Sequence, residues 1–217
     1  MSGVVALAVV LGGLFGFGAD RLAARWPAHE QGHIRVMDWR TAAVIVGSAA
    51  SFGALAARWD EAADLIALGV YVGALMVLLA TDLDQKLLPD LITLPLIGYA
   101  AAVTLLGLNP VLAEIPQSWV ADGDMTAILA AVLVPGLLAL TDRIFHGALG
   151  MGDIKLSISL GLMFGLRHLF VGFLVATIAF AAVVLVLVLA RRVTMKTAIP
   201  FGPALIGAGV LASVLRI

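Results

Sequence analysis

Long apolar runs separated by short polar stretches set the pattern of this chain. A helix that crosses a membrane needs roughly 20 mainly apolar residues. Charges and prolines divide the sequence into about eight such segments, near 3–22, 41–57, 64–82, 91–108, 125–145, 154–166, 168–190 and 198–215. The sixth is short and rich in glycine, which fits a segment that is tilted, packed inside a bundle or only partly spanning. The first run, Val4 to Phe17, has no basic residue before it and no small-residue cleavage site after it, so it reads as a retained helix and not a signal peptide. The polar intervals Arg25–Arg40 and Asn109–Asp124 are too short for cores of their own. The expected fold is therefore all-α, a polytopic transmembrane bundle of about eight helices forming a single domain over residues 1–217.

Composition sharpens this reading. With 62% hydrophobic and 12% charged residues and a mean hydropathy of +1.11, the chain lies outside what a hydrated globular surface supports, and a lipid bilayer is its expected surrounding. A net charge of -1 without a large basic patch gives no grip on nucleic acid. Cysteine is absent, which removes disulfides, thiolate zinc sites and a cysteine nucleophile, and leaves carboxylates, hydroxyls, His and Lys for any chemistry. Alternating the loops across the membrane gathers Arg21, Arg25, Arg35, Arg40, Lys86, Arg143, Lys155, Arg191, Arg192 and Lys196 on one side, against Arg58, Arg167 and Arg216 on the other. The positive-inside rule makes the first side cytoplasmic and puts the amino terminus outside. Gly12, Gly13, Gly16 and Gly18 in the first segment, and Gly202, Gly207 and Gly209 in the last, suit helices packed backbone to backbone.

Two polar stretches then stand out, Thr81–Asp90 and Gly150–Asp153, because carboxylates at the edge of hydrocarbon are costly and commonly functional. The third segment is apolar from Leu65 to Ala80 and closes at Thr81–Asp82, with Pro89 preventing simple continuation. Asp84, two positions after Asp82, points to another side of a helix, so the two are expected to do different tasks. Asp82, Asp84, Lys86 and Asp90 read equally as a solvated interfacial turn. In the second stretch, Gly150 and Gly152 permit tight backbone and the close approach of an extended substrate. Asp153 there would sit at a helix amino terminus, a place that an ordinary capping residue also takes. Both stretches fall on the same expected side. Two neighbouring carboxylates that share one proton supply a base for water and an acid for a leaving amine, which is the aspartic-protease arrangement.

These residues resemble the prepilin peptidases, or type IV leader peptidases, a family of polytopic GxGD aspartic proteases. Asp82 to Asp90 is similar to the family's D-x-D-x-x-x-L/I-P-D, followed by Ile92-Thr93-Leu94-Pro95 for its I-T-x-P. Gly150 to Leu156 resembles G-x-G-D-x-K-L, and Ile199-Pro200-Phe201-Gly202-Pro203 resembles I-P-F-G-P. The resemblance implies that Asp82 and Asp153 are the catalytic pair. It implies supporting or substrate-binding places for Asp84, Lys86, Pro89, Asp90, Gly150, Gly152 and Lys155, and for Pro200, Phe201, Gly202 and Pro203 before the last helix. The implied substrates are prepilins or pseudopilins of type IV pilus and secretion systems, whose basic leader is cut at the cytoplasmic face of the bacterial inner membrane. Proteolysis of this kind needs no cofactor or metal. Asp82, Asp84 and Asp90 would attract a basic leader, within the limits of salt screening.

The chain departs from the family in one region. Gly16, Arg25 and Pro27 match G-S-F-L-N-x-x-x-x-R-x-P, but Asp20 stands where Asn is usual. Residues 26–40 form only a short cytoplasmic loop where many members carry a cysteine-containing domain for methylating the product. The resemblance therefore does not extend to methyl transfer, and S-adenosylmethionine enters only if that activity is retained. His29 and His33 are four apart, but Gly32 disfavours helix there and no acidic partner is suitably spaced for zinc. Two other functions use the same features: a proton- or cation-coupled carrier employing the same carboxylates, and a noncatalytic pilus assembly factor. A carrier would be expected to show matching broken helices in two repeats, and no internal repeat is visible.

Overall fold

Small residues decide how the first two helices meet. α1 (Ser2–Ala23) sets Gly12 and Gly16 against α2 (Trp39–Arg58) so closely that a β-carbon at Gly16 would lie 2.7 Å from Ser48 Cβ and 2.8 Å from the Val44 carbonyl oxygen. Without a hydrophobic driving force between helices in lipid, this close approach is what makes the pair cohesive. α2 starts at Asp38, whose carboxylate accepts from Arg40 N at 2.9 Å while its own N–H donates to Thr41 Oγ1 at 3.3 Å. The computed structural model describes residues 2–27, 35–115, 123–145, 149–189 and 201–215.

α3 (Ala62–Gln85) is the central helix, in contact with α1, α2, α4 (Asp90–Leu105) and α8 (Gly202–Val214). Its buried face, including Tyr71, Leu75 and Leu78, meets Leu156, Leu160, Met163 and Phe164 of α7 (Met151–Leu189) and Leu205 of α8 in one core. The Tyr71 ring stands edge-on to Phe164, with centroids 5.5 Å apart. Its hydroxyl is satisfied by Ser159 Oγ at 3.0 Å, as a buried polar group must be. By contrast α6 (Gly123–Ile144) packs on α7 but leaves Val132, Leu133, Leu137 and Leu140 on the outside, as lipid-facing helices do. Among the described residues six helices are long and apolar enough to cross a membrane, and the shorter α8 is largely buried. The molecule is an all-helical polytopic membrane bundle.

The sixth and seventh expected segments are one helical stretch with a break. Gly165, at φ 64° and ψ 178°, divides α7 into two halves, close to the boundary the sequence suggested. A break frees backbone carbonyls that lipid cannot satisfy. Here Thr104 Oγ1 donates to the Leu162 carbonyl at 2.9 Å, and Asn109 Nδ2 to the Met163 carbonyl at 2.9 Å. Asn109 also caps the single-turn helix α5 (Pro110–Ala113), accepting from Val111 N and Leu112 N. Part of the interval after Asn109, expected to be a polar loop, is thus a buried plug under the break: Asn109, Val111 and Leu112 are all buried.

Helix ends gather at two levels. At one level α1, α3 and α6 end while α2, α4, α7 and α8 begin, joined by contacts such as Arg40 to Asp84, Asp90 to Lys155, Leu149 N to Asp142, and Gly202 to Asp82. At the other, Arg58 pairs with Glu114, and Trp59 Nε1 donates to the Ser213 carbonyl at 2.8 Å.

Candidate active site

Asp82 lies in the last turn of α3, which continues to Gln85, three residues beyond the end expected from the sequence. Lys86 closes the helix in the left-handed conformation, φ 54°, and its N–H donates to the Asp82 carbonyl at 2.9 Å. Glycine or asparagine usually takes that place, so a lysine there marks backbone fixed by its surroundings. Pro89, at φ -65°, then precedes the first residue of α4, as its ring favours. The segment between the helices thereby forms a tight shelf beside the carboxylate of Asp82.

α7 begins against this shelf. A β-carbon at Gly152 would lie 2.7 Å from Leu88 Cβ, so only glycine lets the helix start this close. Asp153 follows in the first turn, where Gly150 N donates to its Oδ2 at 3.3 Å. Lys155 Nζ lies 2.7 Å from both carboxylate oxygens of Asp90, bolting the first turn of α7 to the first turn of α4. From the third side comes α8, with Phe201 at its N-cap, Gly202 as its first residue and Pro203 in its first turn. A β-carbon on Gly202 would sit 2.6 Å from Asp82 Oδ2, so the α8 backbone rests directly on that carboxylate. Phe201 packs against Phe173, with ring centroids 5.9 Å apart. Pro200, His29 and His33, named from the sequence, lie outside the described residues.

Asp82 and Asp153 line one cavity of about 600 Å³, together with Lys86 to Leu91, Gly150 to Gly152, Lys155, Trp26 and Pro27. Asp82 Oδ2 and Asp153 Oδ1 are buried and have no protein hydrogen-bond partner. A pair of acids so placed can hold and exchange protons with a small polar molecule between them. Among the described residues, no group of three or more His, Asp or Glu is placed to hold a metal ion.

Asp84 turns away from the cavity, and Asp90, on its wall, is paired. Asp84 leaves α3 on another face and meets Arg35 Nε at 2.7 Å and Arg40 Nη1 at 3.2 Å. Asp90 is engaged by Lys155. Both carboxylates of the expected acidic cluster thus already face cations. Burial alone disfavours the charge on Arg35, but Asp20, with Asp84 and Asp38 behind it, outweighs this and raises its pKa above the ordinary arginine value. Sequence reasoning missed Trp26 as a wall of the cavity and Gln85, whose Nε2 donates to the Pro27 carbonyl at 2.8 Å and draws the end of α1 to the site. The only signal there was the Pro27 match.

The model of the type IV leader peptidase family matches residues 69–190, more than half of the chain and both carboxylate motifs. The chain belongs to that family. It is similar to proteins called prepilin leader peptidase/N-methyltransferase in several bacteria. The Bacillus subtilis protein is 29% identical over 165 residues, 76% of this chain and 62% of that protein. Its Aeromonas hydrophila counterpart is 33% identical over 161 residues, 73% and 51% of the two chains. The one from Burkholderia pseudomallei is 32% identical over 174 residues, 76% and 51%. The chain thus spans about half to three-fifths of the length of these relatives. No solved structure matches it.

Proposed function

We propose that the chain is an aspartic endopeptidase that removes the leader from prepilin or pseudopilin precursors, with Asp82 and Asp153 as its catalytic pair. The observation that carries this reading is the shared cavity in which each carboxylate keeps one oxygen buried and unengaged by protein. In the proposed reaction, the ionised member of the pair takes a proton from water as the water oxygen bonds to the scissile carbonyl carbon. The protonated member gives its proton to the carbonyl oxygen. Collapse of the tetrahedral intermediate breaks the C–N bond, and the amine leaves with a proton returned by the pair. Proteolysis of this kind uses no cofactor.

Family membership supports the substrate class, since the relatives carry prepilin in their names. The charge distribution supports a cytoplasmic site. Among the described residues Arg21, Arg25, Arg35, Arg40, Lys86, Arg143 and Lys155 belong to the level of the cavity, whereas Arg58 and Arg167 belong to the other. With Asp84 and Asp90 already paired, recognition of a basic leader falls to Asp82, Asp153 and the apolar shelf of Leu87, Leu88 and Leu91. Methyl transfer is left out of the proposal, because only residues 24–38 separate α1 from α2. S-adenosylmethionine would be required only for that second reaction.

The test is cleavage of a full-length prepilin by the purified chain in detergent, comparing the wild type with Asp82→Asn and Asp153→Asn. Each substitution is expected to lower kcat by about 100-fold or more without changing the shape of the site. Wild-type rates in either variant would refute the pair.

A further inference from the structure

The connection between α1 and α2 holds a guanidinium in contact with three carboxylates from three elements. Arg35 Nη2 pairs with Asp20 of α1. Its Nη1 lies 2.5 Å from Asp38 Oδ1 at the start of α2, and its Nε lies 2.7 Å from Asp84 Oδ1 in the last turn of α3. The last contact is an ion pair off the line of the N–H. Asp20 and Asp84 are 0% and 3% exposed at their side chains, so this junction is interior, where charges are retained only if well partnered. Arg21 Nη2 and Thr41 Oγ1 complete Asp20, at 2.5 Å and 2.9 Å, and Arg40 supports Asp84 from α2. Among the described residues three Asp and three Arg join in this network, and the planar fork of Arg35 touches carboxylates of α1, the start of α2 and α3 together.

This junction faces away from the cavity, yet it grips the same helical turn that carries Asp82. On the cavity side the carboxylate of Asp82 rests on the backbone of Gly202, and its Oδ2 engages no protein donor. The end of α3 is held laterally by Gln85, which donates to the Pro27 carbonyl, and by two ion pairs on the face opposite the cavity, both through Asp84. We infer that Arg35 is a positioning residue for the proteolytic site: by anchoring Asp84 it fixes the last turn of α3, so that Asp82 stays opposite Asp153. The inference rests on the reading of Asp82 and Asp153 as a proteolytic pair. It gives the connection between α1 and α2 a role in the reaction and ties Asp20 to the cation that it holds.

Removing Arg35 altogether would strand buried carboxylates and endanger folding, so two milder variants test the idea. Arg35→Lys keeps the charge without the fork, and Asp84→Asn weakens the hold of Arg35 and Arg40 on α3. Both are measured for kcat, KM and thermal midpoint on prepilin. In a parallel set, spin labels at Leu87→Cys and Met151→Cys report the distance between the shelf and the start of α7, against a background with no native cysteine. Each variant is expected to lower kcat about tenfold with KM nearly unchanged, and to shift or broaden the label distance. Unchanged kcat, even with a lowered thermal midpoint, overturns the inference, and so does a label distance equal to that of the wild type. A wild-type chain that cleaves no prepilin refutes the proteolytic reading instead, while the label distances still report whether Arg35 fixes α3.

Discussion

A single methyl group is enough to probe how tightly the site is built. In Gly202→Ala the new carbon would meet Asp82 Oδ2 at 2.6 Å, forcing either the carboxylate or α8 to move. The expected outcome is a fall in kcat of about 10- to 100-fold, measured on prepilin, because small displacements of a reacting group are that costly. Lys86 offers the opposite experiment. Its left-handed backbone strains any residue with a β-carbon, so Lys86→Gly should stabilise the protein by roughly 1 kcal/mol, read from thermal unfolding in detergent. The proposed division of labour also has a pH signature. At low pH both acids carry protons and no base remains; at high pH both are ionised and no acid remains. The profile of kcat against pH should be bell-shaped, and a flat profile would argue against a shared proton. The two aspartates and their glycines were legible in the sequence because their spacing marks them. The partners of Asp84 were not, since Arg35 and Arg40 reach it only through the packing of α1, α2 and α3.

Helix positions were readable because apolar length and proline fix them, and the break in α7 was foreshadowed by its glycines. What escaped was the plug beneath that break. Asn109 looks like an ordinary loop residue until α7 presents the Met163 carbonyl to it. Asn109→Ala would leave that carbonyl and two α5 amides without their partner, a loss of about 1–3 kcal/mol. Gly165→Ala meets both the positive φ and Thr126 Oγ1, 2.8 Å from the added carbon, and should cost about 1–3 kcal/mol. Thermal midpoints of the two variants in the same detergent check both values.

For the whole molecule, the bundle divides its charge between two levels, and the proposed cytoplasmic site follows from that asymmetry. Because the chain has no cysteine, one introduced at Met151 and one at Asp60 can be labelled from either side of sealed inverted and right-side-out vesicles. Met151 is expected to react only from the cytoplasmic side and Asp60 only from the other; the reverse pattern would invert the proposed topology. The general architecture was legible in the sequence because a bilayer imposes long apolar helices. Their lateral arrangement was not, because apolar faces in lipid carry little information about which neighbour they choose.

The interruption at Gly165 also separates two rotational phases. One residue inserted in the first half of α7, between Asp153 and the break, would turn the aspartate about 100° around the helix axis relative to the packed half below it, and swing it off its partner. The same insertion beyond Gly165 would leave that angle untouched. Evolution is thus free to lengthen or shorten the distal half of α7 without retuning the aim of the acid at its beginning.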